Sequence, residues 1–180
     1  GQKGWGLLWV PALLGGALGA GLLLVLPPDW FSAVAPWLVI GSAGLVGADP
    51  LIRRHLSGLV PGERCTGTSL AALFLISIYG GYFGAGIGIL VLFTLRLVGI
   101  ADLHDANGLK NLLVTGIKGV AAVGFIMGGV VAWSVALIMI GGSALGGWGA
   151  GHLIQKLDHG TLRWIVVAIG IVMGVIMMVG

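Results

Sequence analysis

Residues 69–99 read SLAALFLISIYGGYFGAGIGILVLFTLRLVG. Arg96 is the sole charged residue in this run, which is apolar almost from end to end. A bilayer span needs about 20 apolar residues, and a straight helix over this whole run would reach about 46 Å at 1.5 Å per residue. That is too long for one crossing of a core about 30 Å thick. Gly80, Gly81, Gly84, Gly86 and Gly88 cluster at its middle. Two readings follow. A helix interrupted at that depth would aim free N–H groups and a partial positive charge at an anionic solute. Broken backbone there is tolerated only where it is buried in protein or lines a cavity. Alternatively, Gly80-x-x-x-Gly84-x-x-x-Gly88 is a small-residue ridge for close helix packing. The two are compatible. A phosphate-cradling nucleotide loop does not fit, since no strand precedes the glycines.

Five further apolar runs flank this one, at 5–26, 31–48, 103–127, 131–155 and 161–179. They are continuous rather than alternating, which excludes a lipid-facing strand barrel and gives helices. The chain is 58% hydrophobic and only 8% charged. A soluble domain carries about 25% charged residues, so too few remain here to cover a soluble surface. The 35 glycines lie mostly inside the apolar runs, as in a tightly packed membrane bundle. The fold class expected is all-α, a polytopic transmembrane helix bundle of about six spans. The net charge of +3 comes from basic residues scattered over loops and helix ends, so nucleic acid is not a partner. Cys65 is the single cysteine, which excludes an internal disulfide and leaves an unpaired thiol.

Turns are expected at Pro27-Pro28-Asp29, Ala101–Asp105, Met127-Gly128-Gly129 and Asp158-His159-Gly160, with a polar linker over 49–68. That linker carries Arg53, Arg54 and Arg64, so it is placed on the cytoplasmic side. Counting six crossings outward puts Ala101–Asp105 outside, Met127–Gly129 inside and Asp158–Gly160 outside. Lys156 and Arg163 near that last turn count against this assignment.

A second polar constellation lies on the helix expected over 103–127. His104, Asn107, Asn111, Thr115 and Lys118 follow at steps of 3, 4, 4 and 3, within an arc of roughly 80°. The asparagines alone would suit a seam of hydrogen bonds between helices. Lys118 lies deep in the span, where a charge costs at least about 2.5–3.5 kcal/mol and faces a cavity or a partner. Together they are read as the lining of a solute path. The candidate substrate-binding residues are Gly80, Gly81, Gly84, Gly86, Gly88, Asn107, Asn111, Thr115 and Lys118. Lys118 would supply a point charge, and the asparagines would donate hydrogen bonds to oxyanion oxygens. No metal ligand set, cofactor motif or catalytic nucleophile with a base is present, and the expectation is a non-enzyme without cofactors.

Gly16, Gly19, Ala20 and Gly21 recur as Gly146, Gly149, Ala150 and Gly151, each 130 positions later. Residues 5–48 thus echo 131–179. Tyr79–Gly88 resembles the signature segment of the TauE/SafE sulfite exporter family, also called the toluene sulfonate uptake permease family. Ala106-Asn107-Gly108-Leu109-Lys110-Asn111 resembles that family's next block, and the repeat ending fits Gly146–Gly151. The resemblance implies two homologous four-helix repeats. Residues 1–48 would be the last two helices of the first, 49–68 the linker and 69–180 the second, with the chain truncated at its N-terminal side. It also implies a multi-pass permease of the inner cell membrane that carries small sulfur-containing anions such as sulfite or sulfonates. Position 118 departs from the pattern, which usually carries Asn there. The lipid bilayer and a small anion are the expected partners, and a homo-oligomer stays open. The competing function is a helix-packing subunit of a larger membrane assembly without its own transport path.

Overall fold

The computed structural model describes residues 5–57, 67–98, 100, 103–154 and 159–179. Cys65, Glu63, Arg64, Lys156 and Asp158 lie outside the described residues. Among the described residues seven helices follow in order: α1 (Trp5–Val25), α2 (Pro28–Ser57), α3 (Gly67–Tyr82), α4 (Ile87–Leu97), α5 (Leu103–Met127), α6 (Trp133–Ile154) and α7 (His159–Val179). Among the described residues α1, α2 and α5 are long and apolar enough to cross a membrane, and α3, α4, α6 and α7 contribute shorter apolar stretches. The expected helical membrane bundle is therefore present.

Local chemistry explains the boundaries. Pro28 opens α2 with its ring-fixed φ, and Asp29 places a carboxylate in the positively polarised first turn. Gly129, at φ 66°, makes the left-handed step that ends α5. One boundary differs from expectation: α2 runs through Asp49 and Pro50 to Ser57, where the sequence suggests a linker.

The core joins four helices. Leu8 and Ala12 of α1, Leu73 of α3, Ile87, Val91 and Leu95 of α4, and Leu109, Leu113 and Ile117 of α5 form one buried cluster. Glycine permits this closeness. A side chain at Gly19 would overlap the Ile78 carbonyl, and one at Gly81 would overlap the Gly16 carbonyl. α1 thus lies almost backbone to backbone on α3.

These contacts also fix directions. Gly15 meets Phe74 and Ser77, and Gly19 meets Ile78 and Tyr82, so α1 and α3 run parallel. Gly116 faces Trp9 and Leu13, Gly124 faces Ala20, and Gly128 faces Leu24, so α5 also runs parallel to α1. Helix α4 must then turn back. Ile87 and Ile117 meet beside Gly80, and α5 begins about 21 Å below Ile117 at 1.5 Å per residue. Had α4 continued in the direction of α3, Leu97 would stand about 15 Å above that level. Only six residue steps join Leu97 to Leu103, a reach of about 21 Å against the roughly 36 Å then required. The segment 69–99 is therefore interrupted at its glycines, and the interruption is a reversal. α3 and α4 form a re-entrant hairpin rather than two halves of one crossing.

This reversal fixes the end of the bundle at which the later helices begin. The start of α5 lies on the same side as the starts of α1 and α3. The Gly128-Gly129 turn lies on the opposite side, beside Leu24. Gly170 packs on Ala43 and Gly174 on Ile40, so α7 runs antiparallel to α2. The start of α7 therefore falls on the side where α2 ends. α6 stands largely apart, with Trp133, Leu145 and Trp148 exposed and open space around Gly142, Gly146 and Gly149.

Candidate functional site

The hairpin tip, Phe83–Gly86, lies within the apolar layer, level with Gly19 of α1 and Lys118 of α5. Gly84 and Gly86 have φ of 71° and 70°, the left-handed region that costs other residues about 1–2 kcal/mol. Two such residues in a row of four reverse the chain without a longer loop. The Phe83 and Gly84 amides both donate to the Tyr79 carbonyl, at 2.9 and 3.0 Å, and close α3. Gly86 caps α4 with no side-chain hydrogen bond, and its carbonyl accepts the Ile89 amide at 3.0 Å.

Three side chains from outside the tip complete it. The Lys118 ammonium donates to the Phe83 carbonyl at 3.3 Å. The Tyr79 hydroxyl donates to the Ala85 carbonyl at 2.6 Å. Ser42 of α2 lies beside Tyr79, its hydroxyl turned to the Leu38 and Val39 carbonyls of its own helix. The amides of Ala85 and Gly86 precede the helical ladder of α4, and those of Ile87 and Gly88 fall in its first turn. The first turn of any helix leaves donors without intrahelical partners, and here they carry the positive end of α4.

Two cavities meet at Gly86. One, of about 330 Å³, is lined by Phe83, Ala85, Gly86, Ser42 and apolar residues of α2 and α7. The other, of about 220 Å³, is lined by Gly86, Gly88, Ile89, Leu92, Val46 and Lys110. The Lys110 ammonium donates to Asn107 Oδ1 at 3.0 Å and so is held on the α4 side of α5. Either volume accommodates an oxyanion of a few heavy atoms, and each is lined in part by residues at the start of α4.

The expected residues divide by position. Gly84, Gly86, Gly88 and Lys118 surround the tip. Gly80 and Gly81 are buried below it in close packing, Gly80 against Ile87 and Ile117, and Gly81 against Gly16. Asn107 is half-buried and holds Lys110. Asn111 and Thr115 are exposed on α5, and among the described residues no hydrogen bond joins them to the tip. Lys110, Tyr79 and Ser42 are additions from the structure. Lys110 follows Asn107 by three, the spacing of helix-face neighbours, and that was its signal in the sequence.

Apolar helices long enough to cross a bilayer, with a helical hairpin reversing among them, are the architecture of a multi-pass membrane protein. The chain belongs to the sulfite exporter TauE/SafE family, which it matches over residues 2–177. It is a membrane transporter of sulfur anions, not an enzyme. No curated protein and no solved structure matches it.

Proposed function

We propose that the protein moves small sulfur oxyanions, sulfite or simple sulfonates, across the inner cell membrane, and that they bind at the hairpin tip. The observation that carries this reading is the α4 N-terminus. Ala85, Gly86 and Gly88, at the start of α4, line two cavities that meet at Gly86. An anion desolvated at that depth needs donors and positive charge that are already in place. The amides supply the donors, and Lys110 and Lys118 supply charge on two sides. Asn107 sets the position of Lys110. Asn111 and Thr115 extend a polar strip along α5 by which the solute would approach.

The internal echo supports a two-repeat organisation, with 1–48 and 69–180 as parts of two repeats around the linker 49–68. Helices α2 and α7, related by the 130-residue shift, cross antiparallel. Their contact Ala43–Gly170 maps under that shift onto Ile40–Met173, one residue from the observed Ile40–Gly174. A small-residue ridge devoted to a partner subunit is a weaker reading, because Gly80 and Gly81 are already covered by α4, α5 and α1.

The test is substrate-dependent thermal stabilisation and liposome flux of the full-length protein with sulfite, thiosulfate and methanesulfonate, with phosphate and chloride as controls. Stabilisation by sulfur oxyanions, lost in Lys118→Ala and Lys110→Ala, supports the site. Equal response to all anions, or none, ends the proposal.

A further inference from the structure

A reversed backbone in the membrane is chemically two-faced. Its amides attract anions, while its carbonyls attract cations and repel anions. Potassium-selective filters use such carbonyls as cation ligands. The tip here carries both kinds of group within four residues. The Phe83 carbonyl accepts from Lys118, the Ala85 carbonyl from Tyr79 and the Gly86 carbonyl from Ile89. The amides of Ala85 to Gly88 lie before or within the first turn of α4, where the helix supplies few carbonyls to accept them.

We propose that Tyr79 is a specificity-determining positioning residue, whose hydroxyl occupies the Ala85 carbonyl and so removes an acceptor from the tip, which favours anions over cations there. The geometry behind it is independent of the cavity. Tyr79 lies in the last turn of α3, so its hydroxyl spans six residues to reach the far arm of the tip. At 2.6 Å the bond is at the short end for a hydroxyl donor and ties the two arms directly. Ala85 and Gly86 line the same cavity, so the carbonyl that Tyr79 covers would otherwise lie beside the first amides of α4. Lys118 performs the corresponding task for Phe83 from the α5 side, with a charge as well. The tyrosine does so without charge, so its removal changes acceptor exposure and leaves the electrostatic balance as it was.

The inference rests on the reading of the tip as the anion site, and one experiment separates the two. The full-length protein and its Tyr79→Phe variant are reconstituted in liposomes. Kd is measured for methanesulfonate, which only accepts hydrogen bonds, together with sodium leak through the same vesicles. Wild type should bind methanesulfonate and hold sodium out. In Tyr79→Phe the ring and its apolar contacts persist, so the melting temperature stays within a few degrees. Kd should rise about tenfold, the size expected for losing a hydrogen-bond arrangement around a charged group, with the limiting rate little changed. Sodium leak should rise above wild type. A variant with wild-type Kd and wild-type leak overturns the role of Tyr79 and leaves the site standing. A wild type that binds no sulfur oxyanion overturns the site and the role of Tyr79 together. A fall in limiting rate alone, at unchanged Kd, assigns Tyr79 to hinge stiffness and also overturns its role in specificity.

Discussion

The Lys118 ammonium rests 3.3 Å from the Phe83 carbonyl, a contact that bridges 35 residues and joins α5 to the end of α3. Phe83 lies past the last turn of α3, where carbonyls lack intrahelical partners and the dipole is negative. A cation there is stabilised by the helix end and held beside Gly84. In Lys118→Met the carbonyl is uncovered and the charge lost, so affinity for a sulfur oxyanion should fall by about tenfold or more. Isothermal titration of purified protein measures it, and an unchanged Kd would remove Lys118 from the site.

Gly84 and Gly86 share a left-handed backbone but differ in surroundings. A Cβ at Gly84 would overlap the Lys118 ammonium, whereas at Gly86 the nearest atom is Ser42 Cβ at 3.7 Å. Gly86→Ala should therefore cost only the conformational strain, about 1–2 kcal/mol. Gly84→Ala should cost more and also displace Lys118. Melting curves and oxyanion binding on the two variants should rank Gly84→Ala as the more damaging in both.

Contact between α1 and α3 depends on missing side chains. At Gly81 a Cβ would run into the Gly16 backbone, which has no side chain to move aside. Gly81→Ala should destabilise at the upper end of the overpacking range of about 1–3 kcal/mol. Gly142→Ala on α6 has open space around it and should be neutral or slightly stabilising. Thermal unfolding in one detergent compares the pair.

The reversal at the tip places the start of α5 on the linker's side. In a Cys65→Ser background, single cysteines at Asp105 and Val130 should react with a membrane-impermeant thiol reagent from opposite faces. Wild-type Cys65 should react from the same face as Asp105→Cys. Labelling of Asp105→Cys and Cys65 from opposite faces would instead require α3 and α4 to cross as one segment.

Much of this architecture was legible in the chain. The apolar runs gave the helices to within a few residues because lipid demands continuous apolar length, and Gly80–Gly88 marked the break. The direction after the break was not legible. The same glycines serve a kinked crossing and a hairpin, and only the register of Gly116 against Trp9 and of Gly124 against Ala20 distinguishes them. The end of α2 was misplaced because Pro50 and the arginines after it look like a loop, although a helix tolerates them as it leaves the membrane.

The site was legible in its glycines and in Lys118, whose cost at depth makes it conspicuous. Tyr79 was not, because a tyrosine in an apolar run reads as packing until its hydroxyl is seen to reach Ala85. Lys110 was overlooked because it sits beside the stripe from Asn107 to Lys118 rather than on it. Asn111 and Thr115 met the periodicity, yet periodicity alone does not say which neighbour a face meets.

The hairpin spends two short helices without leaving the membrane on the far side, so the chain emerges with its sense inverted. Helices that echo one another at a distance of 130 residues consequently face opposite ways, α7 upside down against α2. An upside-down copy can adopt its counterpart's shape, and the exchange of shapes between copies opens a buried site first to one compartment and then to the other. For a carrier of this kind, the glycines at the tip would do more than bend the backbone: they would supply the mirror that makes import and export two poses of one structure.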